Sequence, residues 1–303
     1  MTNTKVNFCG VEFKNPIVTA SGTFGFGMEY NQFVPLEEYG GFSAKGLTRV
    51  AREGNKPPRI AETPSGILNS VGLQNPGVEY FAESIMPIIS EYDTNIIANM
   101  SGNTVEEYCE MAEILSDTDV ALIEMNISCP NVKHGGLAFG TDAKVVNDLT
   151  KEVKKHCKKP LVVKLSPNVT SISEIAKAAA DGGADGLSLI NTLLGMKIDI
   201  NTRRPILKNN TGGLSGPAVK PVAVRMIHEV YNAVNIPIIG MGGVMSGEDV
   251  IEFMLAGASL VALGTGLFSK PDLILSVKKD IENYMNRYNI ENITDLVGAA
   301  VMN

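Results

Sequence analysis

The sequence predicts an α/β protein built as one (β/α)8 barrel, the TIM-barrel architecture, with inserted loops over the C-terminal face of the barrel and an N-terminal hairpin ahead of it. Three observations lead there. Eight short apolar runs recur along the chain, at residues 17–20 (IVTA), 41–44 (GFSA), 95–99 (NIIAN), 121–126 (ALIEMN), 161–165 (LVVKL), 186–190 (GLSLI), 236–240 (IPIIG) and 260–263 (LVAL). Helical patterns lie between most of them, at 105–115, 143–155, 172–180, 219–233 and 247–256, and strand-helix alternation implies a parallel sheet. Finally, 303 residues suit the ~250 of such a barrel plus insertions. Periodicity alone fits an open, doubly wound sheet equally well; length and the strand count select closure.

Taken in order, residues 4–14 alternate Val6, Phe8, Val11 and Phe13 around Cys9-Gly10, the pattern of a hairpin that plugs one end of the barrel. Two intervals then break the rhythm, 45–94 between the second and third runs and 191–216 between the sixth and seventh. Loops that follow strands form the working face of this fold, so both insertions read as lids or binding loops. Glycine and proline are scattered singly, and no boundary divides residues 1–303, which form a single domain.

Composition narrows the function. With 44% hydrophobic and 19% charged residues, the chain has material for a large core. A net charge of -7 argues against nucleic acid, which wants a basic face. The four cysteines, at 9, 109, 129 and 157, have neither zinc-knuckle nor cluster spacing, so no metal site is expected, and scattered thiols suit a reducing cytoplasm. No apolar run approaches the ~18 residues of a membrane span.

The stretch 121–136, ALIEMNISCPNVKHGG, runs from a core strand into polar residues, and Pro130 stops regular pairing. Cys129 is thereby placed at a strand's C-terminal mouth, in a loop too polar for core, which favours a reactive thiol over a buried one. The other strand ends also present polar groups: Ser21, Lys45, Asn99, Asn126, Lys164, and Asn191 with Thr192. Singly these are turn chemistry; together they form a ring. Lys164 interrupts LVVKL, where a cation needs a partner, and an anionic ligand in the barrel mouth would supply one. The last two strands run into Gly240-Met241-Gly242-Gly243 and Gly264-Thr265-Gly266, candidate phosphate loops because bare N–H groups there face the anion. Neither matches the dinucleotide pattern GxGxxG.

Phosphate glycines, a lysine within a strand and a thiol loop make the plan of a flavin mononucleotide barrel. The sequence resembles the class 1 dihydroorotate dehydrogenase family along nearly its whole length, through ASGTFGFG (20–27), SAKGLT (43–48), GILNSVGLQNPG (66–77), IANMSG (97–102), NISCPN (126–131), VKLSPN (163–168), INTLLGM (190–196), GGLSGPAVKP (212–221), GMGGV (240–244) and LGTGLF (263–268). The resemblance implies oxidation of dihydroorotate to orotate in pyrimidine synthesis, with FMN as hydride acceptor. It implies FMN held by Ser21, Lys45, Gly46, Asn99, Asn126, Lys164, Ile190, Gly216, Gly242, Gly243, Gly264 and Thr265. Substrate would meet Lys45, Asn69, Ser70, Val71, Gly72, Leu73, Asn126, Asn191 and Thr192, and Cys129 would be the base. Carboxamides both donate and accept, which suits a ring carrying imide and carboxylate groups.

Cysteine rather than serine at 129 matches class 1 of the family, not its membrane-linked group. The loop CPNVKHGG and the segment INTLLGMKIDI resemble the NAD-linked branch, class 1B, which implies a partner subunit carrying FAD and a 2Fe-2S cluster, in an assembly of two barrels and two partners. The alternative is the fumarate-reducing homodimer of class 1A. Other classes are a flavin barrel acting on tRNA, which should be basic, a sugar-phosphate isomerase or lyase, which would hold no flavin, and a non-catalytic binding barrel, which would need neither Cys129 nor Lys164.

Overall fold

All eight apolar runs become strands of one eight-stranded parallel sheet in the computed structural model, which describes residues 2–128, 133–134 and 137–303. In chain order they are β1 (Ile17–Thr19), β2 (Gly41–Ser43), β3 (Asn95–Met100), β4 (Leu122–Asn126), β5 (Leu161–Lys164), β6 (Gly186–Leu189), β7 (Ile238–Met241) and β8 (Leu260–Leu263). From β2 to β8 each strand pairs with the next, and β8 returns to pair with β1. The seam lies between β1 and β2. There Gly40 N donates to Ile17 O at 2.9 Å and Ser43 N to Thr19 Oγ1 at 3.3 Å, so the barrel is nearly closed without a full ladder.

Among the described residues the six longest helices are α1 (Val105–Ser116), α2 (Ala143–Lys155), α3 (Ile172–Asp181), α4 (Lys220–Tyr231), α5 (Gly247–Ala256) and α6 (Leu273–Tyr288), which surround the sheet. Four of them start where a side chain takes up an otherwise orphaned N–H: Thr104, Asp142, Ser171 and Ser246 accept from the N–H of Glu107, Val145, Glu174 and Asp249. Helix α4 is shorter than the sequence pattern 219–233 because Pro217–Val219 wind as a 3-10 turn and the helix ends at Tyr231. Among the described residues no helix is long and apolar enough to cross a membrane.

The hairpin does plug an end. Val6–Phe8 pairs with Val11–Phe13 through a turn in which Cys9 and Gly10 both take positive φ, 52° and 84°. Phe8 and Phe13 are fully buried, and the Cys9 thiol donates to Asp185 O at 3.2 Å, just ahead of β6. This closes the N-terminal mouth and leaves the C-terminal mouth for ligands.

The two insertions are not separate lids. Ile60–Thr63 and Gly66–Asn69 come from the first, Leu193–Met196 and Thr211–Ser215 from the second, and they join in one antiparallel sheet. Ala61, Leu68 and Leu207 form a small core of their own with Ile206 and Leu214. The two sets of strands meet so closely at Gly66 that a Cβ there would lie 2.1 Å from Ser215 O, a backbone atom that cannot swing aside. Gly66→Ala should therefore lower stability by about 1–3 kcal/mol in urea unfolding, the usual range for overpacking. A wild-type midpoint would mean that this pairing is not held in solution.

Candidate functional site

The C-terminal ends of the barrel strands and the underside of the four-stranded sheet enclose a cavity of about 730 Å³. That is ample for a cofactor with a small substrate. Every predicted site residue among those described lines it: Ser21, Lys45, Gly46, Asn69, Ser70, Val71, Gly72, Leu73, Asn99, Asn126, Lys164, Ile190, Asn191, Thr192, Gly216, Gly242, Gly243, Gly264 and Thr265. Cys129, the predicted base, lies outside the described residues.

The floor is polar although it is buried. Lys164, at the end of β5, is 5% exposed and Asn99 is 1% exposed. The sequence reading left the lysine to a ligand anion; the structure supplies a resident one, because Glu124 on the adjacent strand β4 places Oε2 3.9 Å from Lys164 Nζ. That carboxylate, 2% exposed, also accepts from Asn99 Nδ2 at 2.6 Å and from Ser43 Oγ at 3.3 Å. Glu124 was missed although its signal resembles that of Lys164, a charge inside an apolar run, here ALIEMN. Two opposite charges inside neighbouring strands point to each other once the sheet order is known.

Lys45, after β2, is a second cation, partly buried. Burial pushes its ammonium below the usual lysine range, and the Arg59 guanidinium nearby adds to the effect. An anionic group entering the cavity would relieve both. The asparagines are held in fixed orientations. Asn126 Oδ1 accepts from Asn191 Nδ2 at 3.2 Å and from Ser128 N at 3.1 Å, so what Asn126 offers a ligand is its NH2. Asn191 Oδ1 in turn accepts from Thr192 N at 2.8 Å.

The loop Ser70–Leu73 turns through positive φ at Gly72 and Leu73, 79° and 55°. Leu73 has a Cβ, so this conformation has to be braced from outside. Asn75 does so: its Nδ2 donates to Leu73 O and to Thr48 Oγ1, both at 2.7 Å, while its Oδ1 accepts from Thr48 N and Gly77 N. The Ser70 hydroxyl is buried without a partner among the described residues.

The two glycine clusters divide into positions that line the cavity and positions that do not. Gly242 and Gly243 take φ of 130° and 86° and turn the chain along the cavity wall, and Thr265 Oγ1 donates to Ser215 Oγ at 2.8 Å, tying the loop after β8 to the cover sheet. A Cβ on Gly264 would meet nothing nearer than Ala20 Cβ at 3.5 Å, so a side chain there would fill the cavity instead of clashing with the wall. Gly240 and Gly266 are different: added Cβ atoms would strike Phe253 and Ala258, or Val244 O and Leu273. These two serve close helix and loop packing. Bare glycine backbone, one buried and one partly buried cation and oriented carboxamides fit a phosphorylated, aromatic, hydrogen-bonding cofactor such as FMN.

The family model for dihydroorotate dehydrogenase matches residues 3–285. Curated relatives cover almost the whole chain. A protein of Alkaliphilus metalliredigens is 57% identical over 297 residues, 98% of each chain, and one of Lachnoclostridium phytofermentans is 55% identical over 98% of this chain and 99% of its own. A third, from Thermoanaerobacter pseudethanolicus, is 52% identical over 98% of each chain. All three bear the name dihydroorotate dehydrogenase B (NAD(+)), catalytic subunit.

The described thiols are poor nucleophiles. Burial pushes Cys9 up to about 12 and both Cys109 and Cys157 up to about 11. They stay protonated at pH 8, where a thiol of ordinary pKa, ~8.5, is already partly ionised. Brief treatment of the folded protein with iodoacetamide at pH 8, followed by peptide mass spectrometry, should leave these three largely unmodified; rapid labelling of any of them would contradict the burial described here.

Proposed function

The chain belongs to the dihydroorotate dehydrogenase family, and from that premise we propose that it oxidises dihydroorotate to orotate in pyrimidine synthesis, as the FMN-binding catalytic subunit of a NAD-linked enzyme. One observation carries the reading: residues scattered from Ser21 to Thr265, which the family resemblance assigns to flavin and substrate, converge on one cavity at the barrel mouth. Ser21, Lys45, Gly46, Asn99, Asn126, Lys164, Ile190, Gly216, Gly242, Gly243, Gly264 and Thr265 would hold FMN, which when bound supplies a hydride acceptor.

The remaining chemistry belongs to the chain. Backbone N–H groups of the glycine turns at Gly242 and Gly243 bind phosphate, and Lys164 compensates negative charge within the cavity. Asn69, Asn126, Asn191 and Thr192 orient the substrate ring through its amide edges, while Lys45 and the Ser70–Leu73 backbone hold its carboxylate. Dihydroorotate gives up a hydride from one ring carbon and a proton from the neighbouring carbon beside a carbonyl. Cys129, as thiolate, takes that proton onto Sγ. The cover sheet excludes water from the reacting carbons.

Electrons leave through a partner subunit carrying FAD and a 2Fe-2S cluster, in a cytoplasmic assembly of two barrels and two partners. The name of the relatives, catalytic subunit, supports a partner. So does this sequence, whose cysteines at 9, 109, 129 and 157 lack a cluster spacing and which has no dinucleotide fingerprint.

Two experiments test the reading. With the purified chain and FMN, dihydroorotate should bleach the flavin, while NADH formation stays at background until the partner subunit is added; rapid turnover with fumarate would instead assign the chain to the fumarate-reducing branch. Cys129→Ser should retain FMN yet slow flavin reduction at least 100-fold at neutral pH, with recovery toward alkaline pH because an alcohol is a far weaker acid than a thiol. Single-turnover reduction of Cys129→Ala at the wild-type rate would remove Cys129 from the mechanism.

A further inference from the structure

We propose that Glu124 is a positioning residue of this site: its buried carboxylate holds the Lys164 ammonium at the cavity floor by charge compensation and sets the orientation of the Asn99 amide beside it. The inference rests on the reading of the cavity as a flavin site.

Strand β4 points alternate side chains to opposite faces, so Glu124 and Asn126 share a side, with Asn126 at the mouth and Glu124 one layer deeper. In register, Glu124 lies beside Asn99 of β3 and Val162 of β5, and Asn126 beside Lys164. Lys164 therefore reaches back to Glu124 across one layer. Both are almost sealed from solvent, at 5% and 2% exposure. Ser43 Oγ, Asn99 Nδ2 and Lys164 Nζ all face the same oxygen, Oε2.

Two consequences follow from the chemistry of a carboxylate. An ionised carboxylate only accepts, so Asn99 must turn its NH2 toward Glu124 and its Oδ1 the other way. The oxygen does face the cavity wall, since a Cβ on Gly46 would lie 2.8 Å from it. Asn99 thus meets a ligand as an acceptor. The second consequence concerns Lys164. At 3.9 Å the ammonium is too far for a hydrogen bond to Glu124, yet close enough for charge compensation. Its N–H groups remain for whatever fills the cavity, and the counter-charge that its burial requires is built in.

Removing the carboxylate charge leaves a buried ammonium uncompensated. The uncompensated side chain then withdraws from the floor, which takes positive charge away from the flavin. Glu124→Gln, nearly the same shape, should accordingly lower the FMN midpoint potential in a spectroscopic redox titration. Glu124→Asp, which keeps the charge, should stay nearer to wild type. In a Lys164→Met background the same Glu124→Gln change should leave the potential where Lys164→Met alone puts it. A raised potential would mean that the carboxylate acts on the flavin directly as a charge, and an equal shift in both backgrounds would mean that it acts only through the fold; each overturns the proposal.

If Glu124→Gln does not retain FMN, thermal unfolding of the four apoproteins reads the same coupling. The double variant, with both charges gone, should then unfold at a higher temperature than Glu124→Gln alone, and an equal or lower temperature refutes the pairing. This arm needs no flavin, so it separates the two claims. A wild-type chain that binds no FMN would refute the flavin reading and, with it, the role proposed toward the cofactor, whatever the apoprotein comparison shows of the ion pair.

Discussion

Closing eight strands into a barrel leaves the lumen too narrow for water to solvate charged side chains, and the rest of this structure depends on how that constraint is met. A lysine on a lumen-facing strand end costs several kcal/mol unless an anion stands beside it. Here β4 provides that anion in Glu124, next to β5 with Lys164 and β3 with Asn99. With Ser43 of β2, the network joins four consecutive strands by their side chains and leaves donors and one acceptor facing upward. One arrangement thus serves the fold and shapes the cavity: Lys164 and Asn99, which Glu124 satisfies from below, also line the cavity above.

Above this floor the chain builds a roof from pieces far apart in sequence. Gly66–Asn69 and Thr211–Ser215 pair across the mouth, and the side chain of Thr265 bonds to Ser215, so the insertions and the loop after β8 form one connected cover. Backbone pairing makes the roof rigid where independent loops would not be. The glycines are the cost of such close approach, Gly66 against Ser215 O and Gly243 against Gly216 O among them. At the opposite mouth the hairpin with Phe8 and Phe13 plugs the barrel, so among the described residues the cavity lies at the C-terminal mouth.

Much of the site was legible because each group broke a local rule: a lysine in LVVKL, polar residues at strand ends, glycine pairs after the last strands. What was not legible was partnership. Glu124 in ALIEMN carries the same signal as Lys164, but spacing along the chain does not say that their strands are neighbours. The glycines show a similar limit. Gly242 and Gly240 differ by two positions, and a Cβ on either would press into packed side chains, Ala223 at 3.0 Å or Phe253 at 2.8 Å, yet only Gly242 borders the cavity, which spacing along the chain does not reveal.

The sequence by itself determined the strand and helix pattern, the count that selects a closed barrel, the hairpin plug and the residue types at the working end. These are consequences of local periodicity, turn chemistry and burial, which depend on neighbours a few positions away. Tertiary structure alone decided that residues 60–69 and 193–215 share a sheet, that Asn75 braces the turn at Leu73, and that the cation on β5 is compensated from β4. Each of these joins groups whose separation in sequence carries no periodic signal, and their energies arise only when closure removes water from between them.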